Sequence, residues 1–153
     1  MIRQRIFLAA LVAFQWVMPM ASAYAACSLS GAAIVFGTYD PLSLTNLDSA
    51  GSVIYRCTQQ DHNITITLSR GGGTSYATRG MVKGTEQLFY NLYRDAARTV
   101  IWGDGTGGTQ AFTIGNPQAN NTDLSVAIFG RVPAGQNVSV GGYIDTITVT
   151  LIF

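Results

Sequence analysis

The chain has 153 residues, nine basic and eight acidic side chains and a formal net charge of +1. Charged residues make up only 11% of it, too few and too balanced for a surface built to hold nucleic acid or an anionic membrane. After the leader no run approaches the ~18 apolar residues of a membrane-spanning helix, which argues against stable insertion in a bilayer.

The first element is a leader. Arg3 and Arg5 form a basic start, "IFLAALVAF" is an apolar stretch of signal-peptide length, and "AYA" ending at Ala25 fits the small-x-small cleavage rule. Residues 1–25 are therefore expected to be a signal peptide for the Sec pathway, and residues 26–153 a single domain. Two cysteines follow, Cys27 and Cys57. In an exported chain a pair of cysteines reads as a disulfide. The rival reading, lipidation of Cys27, needs an aliphatic residue three positions earlier, where Tyr24 stands.

Short strands succeed one another from there. "AIVFGTY" is the first, with Ile34 and Phe36 on one face, broken at Pro41. "GSVIYRCT" is the second, and "NITITLSR" the third, with Ile64, Ile66 and Leu68 facing in. "QLFYNLYR" is the fourth, with Leu88, Tyr90 and Leu92 opposed to Phe89 and Tyr93. "TVIW" is a short strand entering the glycine-rich "GDGTGG" loop, and "DLSVAIFGRVP" and "QNVSV" are two more. In the last, from Ile147 onward, Ile147, Val149, Leu151 and Phe153 fall on one side and Thr146, Thr148 and Thr150 on the other. No stretch of residues 26–153 carries a sustained helical period. Seven or eight short strands rich in β-branched and aromatic residues predict an all-β sandwich of immunoglobulin type, with a closed barrel as the alternative. The final strand has one apolar face and no strand after it, so its edge needs a partner.

Catalytic chemistry has little to build on. His62 is the one histidine, and no nucleophile-elbow pattern GxSxG occurs. "GDGTGG" lacks the Lys-Ser/Thr ending of a phosphate loop, and Asp104 alone is too few ligands for calcium. Two cysteines and a distant histidine do not make a zinc site. Trp102 is the one tryptophan after the leader, so a carbohydrate-binding cleft of tryptophans and carboxylates is not evident. No catalytic residue, metal or cofactor is expected. The remaining classes are a structural or interaction protein that uses its unfinished edge and a small secreted enzyme or carbohydrate-binding module. The lack of a titratable cluster favours the first.

Four stretches resemble the spore coat protein U domain family, which also supplies the subunits of archaic, Csu-type chaperone–usher pili. They are "ACSLSGAAIVFGTYDPL", "SVIYRCT", "LFYNLYRDAARTVIWGDGTGG" and "IFGRVPAGQNVSVGGYIDTITVTLIF". The resemblance implies an incomplete immunoglobulin-like sandwich that lacks its last strand. It further implies a strand-acceptor groove with Ile147, Val149, Leu151 and Phe153 on one wall and Ile34 and Phe36 on the other. The partners implied are a periplasmic chaperone, an outer-membrane usher and a neighbouring pilus subunit that donates a strand. The implied location is the periplasm in transit and then the cell surface, in a fimbria serving adhesion and biofilm formation. Polymerising subunits carry an alternating apolar segment before the first cysteine, and Ala26 cannot serve as one. The expectation is therefore a subunit that accepts a strand without giving one, at a fibre end, or a secreted coat-like protein outside a pilus.

Overall fold

A computed structural model describes residues 27–58, 63–115 and 121–152. The expected signal peptide at 1–25, together with His62 and Phe153, lies outside them.

Eight strands are present among these residues: β1 (Cys27–Ala33), β2 (Leu47–Cys57), β3 (Ile64–Leu68), β4 (Arg79–Lys83), β5 (Glu86–Tyr93), β6 (Phe112–Ile114), β7 (Asp123–Val132) and β8 (Val149–Ile152). They form two sheets with neighbour orders β1-β2-β7-β5-β4 and β6-β3-β8, every pairing antiparallel. The sandwich expected from the strand pattern is thus present, and the sheets do not close into a barrel.

Alternation explains the core. In β3, Ile64, Ile66 and Leu68 are buried, and in β5 Leu88, Tyr90 and Leu92 are buried. Val53, Tyr55 and Cys57 of β2 and Val126, Ile128 and Val132 of β7 complete the inner faces. Trp102 packs beside β3 and β6. It is fully buried, donates its indole N–H to the Ile66 carbonyl at 2.9 Å, and packs on Phe112.

Several element boundaries differ from the expected ones. The first strand ends at Ala33, and residues 34–39, expected as its body, pair with no strand. Gly51 is the physical reason. A Cβ built there would stand 2.1 Å from the Ala33 carbonyl oxygen and 2.9 Å from the Ile34 Cα, so the chain leaves the β2 edge and crosses over the inner face at that glycine. The second strand begins at Leu47 rather than Gly51. "TVIW" makes only isolated bridges, Tyr93 with Ile101 and Trp102 with Gln110, and "QNVSV" is loop. Two strands lack a sequence signal. β6 is three residues long, and β4 opens with a buried arginine and a glycine where apolar alternation is the cue.

Cys27 and Cys57 face each other in the β1–β2 ladder and are joined, as expected, at a sequence separation of 30. The bond ties an edge strand to the sheet. Loop-closure entropy for a ring of that size is worth about 3–4 kcal/mol. Cys57→Ser is expected to lower urea-unfolding stability by roughly that amount. An unchanged midpoint would show that the ladder alone holds β1.

Candidate strand-binding cleft

The apolar cleft lies between two segments that have no partner strand on the cleft side among the described residues. On one side runs 34–39, unpaired with any strand, with Ile34 and Phe36 half-buried and Val35 exposed. Phe36 stands edge-on to Tyr90 at 5.5 Å, and the Ser49 hydroxyl donates to the Val35 carbonyl. On the other side runs 143–149, in which Tyr143, Asp145, Ile147 and Val149 are half-buried and the residues between them exposed. β8 pairs with β3 along one edge, and among the described residues no strand pairs with its other edge.

Between these walls the cleft has a volume of about 740 Å³, in the range of roughly 300–1,000 Å³ typical of ligand pockets. Its floor is the inner face of the larger sheet, Leu88, Tyr90 and Leu92 from β5, Ile128 and Val132 from β7 and Met81 from β4, and Leu68 from β3 of the smaller sheet also lines it. Of the residues expected to form the groove, Ile34, Phe36, Ile147 and Val149 line it. Leu151 shares the face of Val149, pairs with Ile66 and packs on the core, outside the cleft lining. The β5 and β7 floor was legible as apolar alternation but not as part of a site, because alternation does not say which part of an inner face is left uncovered.

Polar side chains hold the walls. Tyr39 donates its hydroxyl to the Pro133 carbonyl and accepts from the Gln136 amide, joining the first wall to the 133–143 loop. That loop is fastened to the β4–β5 hairpin. Lys83 donates to the Ser139 hydroxyl and the Val140 carbonyl, while the Ser139 and Tyr143 hydroxyls donate to the Glu86 carboxylate. Those two hydroxyls, Ser139 first, hold the Glu86 carboxyl below its ordinary range. Tyr90 donates its hydroxyl to Asp145 at 2.7 Å. Burial pushes that hydroxyl well above the ordinary phenol range, and the hydrogen bond to the carboxylate adds to the shift.

A buried arginine stands behind the cleft. Arg79 is completely buried, which lowers its pKa, and has no carboxylate in ion-pair reach among the described residues. Its guanidinium instead donates to the Ser69 carbonyl, the Trp102 carbonyl and the Asn91 side-chain oxygen at 2.7–3.1 Å. Nothing in the sequence signals this role, since the acceptors come from three separate segments. Asp104 is occupied locally, accepting from the Thr106 amide and hydroxyl. Among the described residues no group of three or more His, Cys, Asp or Glu side chains is placed to hold a metal ion.

Residues 12–150 match the spore coat protein U domain. Protein U of Myxococcus xanthus is 33% identical over 146 residues, covering 84% of this chain and 78% of that protein. Among solved structures, the chain resembles the CsuC–CsuE chaperone–tip adhesion subunit pre-assembly complex from the archaic chaperone–usher Csu pili of Acinetobacter baumannii. The TM-score is 0.56 at 21% identity, over 83% of this chain and 39% of that one. At that identity the likeness is one of fold.

Proposed function

The chain belongs to the spore coat protein U domain family, and from that premise we propose that it is a strand-accepting structural subunit of a chaperone–usher fibre on the cell surface. The carrying observation is the free edge of β8 beside an apolar cleft whose opposite wall, 34–39, is also unpaired. A strand laid between them gains backbone hydrogen bonds along β8, and its alternate side chains enter the cleft. From Ile147 to Ile152 that edge offers about 20 Å at roughly 3.3 Å per residue.

In this reading residues 1–25 are a signal peptide that sends the chain to the periplasm. A chaperone strand covers the cleft first, and a neighbouring subunit's strand replaces it at an outer-membrane usher. Adhesion and biofilm formation are the surface roles of such a fibre. The work in this reading is structural rather than enzymatic, in keeping with a cleft lined mostly by apolar side chains. The 33% identity to Protein U supports a second reading, a secreted coat protein that uses the same cleft outside a pilus.

A synthetic peptide of alternating isoleucine and threonine tests the proposal. The expected result is a higher melting temperature and soluble yield with peptide than without it. A chain that is monomeric, unfolds cooperatively and is indifferent to the peptide completes its own fold and sinks both readings.

A further inference from the structure

The last segment changes sheets on its way to β8. At Ile144 it belongs to the larger sheet, exchanging two backbone hydrogen bonds with Val82 at the β4 edge. By Thr148 it has reached the smaller sheet, where the Ser69 amide donates to the Thr148 carbonyl and the Thr148 amide to the Ser69 hydroxyl. Between these anchors 145–147 carry no ladder bonds, and the cleft wall would be loose there if nothing else held it.

Asp145 sits in that gap. It is the one formally charged side chain among those that line the cleft. One carboxylate oxygen accepts from Tyr90 Oη at 2.7 Å, on β5 of the larger sheet. The other accepts from the Gly72 amide at 2.9 Å, in the turn after β3 of the smaller sheet, and from the Thr146 amide at 2.7 Å. Gly71 makes this approach possible. Its φ is +63°, a conformation glycine adopts freely, and a Cβ there would lie 2.2 Å from Asp145 Oδ2 and 2.7 Å from Ile147 Cδ1. Three separate stretches of sequence thus meet at one carboxylate.

We infer that Asp145 is a positioning residue for the cleft: its carboxylate staples the crossing segment to both sheets and so sets the spacing and line of the edge that receives a strand. The functional meaning rests on the strand-accepting reading, but the staple itself does not. Charge-assisted hydrogen bonds are about twice as strong as neutral ones, which suits a carboxylate to a role that a threonine or an asparagine would fill less firmly.

Amide hydrogen exchange on the full chain, with and without the alternating isoleucine–threonine peptide, tests this in Asp145→Ala, Asp145→Asn and Tyr90→Phe. In Asp145→Ala the Gly72 and Thr146 amides, which donate to that carboxylate, should exchange roughly tenfold faster or more, the loss expected of a hydrogen bond to a charged acceptor. The Val53 and Ile66 amides in the core should keep their rates. Asp145→Asn, which keeps an acceptor oxygen, should restore part of the protection. Tyr90→Phe keeps the ring against Phe36 and loses only the hydroxyl, so it decides the matter if Asp145→Ala does not fold. Peptide affinity should fall in the same order. Wild-type exchange at Gly72 and Thr146 in the folded variants overturns the staple. If those amides loosen while the wild-type chain takes up no peptide, the staple stands and the strand-accepting reading falls.

Discussion

Val149→Asp is expected to abolish stabilisation by an added strand, while Thr148→Asp, one residue away, keeps most of it. Val149 is half-buried, lines the cleft and pairs with Leu68 across the β3–β8 ladder. A carboxylate there faces the apolar side chains of an incoming strand, with no cation among the residues lining the cleft to meet it. Burying an unpaired charge is far costlier than burying a hydrogen-bonded polar group, so the strand stays out or the charge stays wet. The stake is large. Each apolar side chain buried is worth roughly 1.5–3 kcal/mol, so four filling the cleft give about 6–12 kcal/mol before ordering costs. That is comparable to the net stability of about 5–15 kcal/mol of a whole domain. Thr148 points to solvent and uses only its backbone with Ser69, which aspartate can reproduce. Melting temperatures with and without peptide separate the two variants. Equal responses would mean that the strand does not enter beside Val149.

Arg79→Ala is expected to be the most damaging single change outside the disulfide, and Arg79→Lys to recover little. Removing the guanidinium takes donors from the buried Ser69 and Trp102 carbonyls and from Asn91. Each buried acceptor left unsatisfied costs roughly 1–3 kcal/mol, so losing the two carbonyl partners alone costs about 2–6 kcal/mol. Lysine keeps the charge but is a point donor on a flexible stem, without the planar fork that spans three acceptors. Urea unfolding of the peptide-complemented chain, followed through the buried Trp102, reads the loss. A lysine variant as stable as wild type would show that charge rather than geometry matters there.

Much of this fold is written locally. Period-two alternation in Ile64–Leu68 and Leu88–Leu92 fixes which side chains face the core, because a pleated strand has no other way to hide them. The same pattern marks Ile147 and Val149 as one face, and two cysteines in an exported chain mark a disulfide. Other features depend on what a distant segment does. Residues 34–39 alternate like a strand, yet they leave the ladder because Gly51 lets the chain cross over β2. Arg79 reads as a surface cation until carbonyls from two remote turns and the Asn91 side chain converge on it. Asp145 reads as a turn residue until Tyr90 and Gly72 meet its carboxylate. By itself the sequence determined the fold class, the inward faces, the cysteine pairing and the apolar face of the last strand, all set by neighbours a few residues apart or by the compartment. Only the tertiary structure decided where the cleft opens and which polar groups hold its walls, since hydrogen bonds between residues 55 and 73 positions apart leave no periodic trace in the chain.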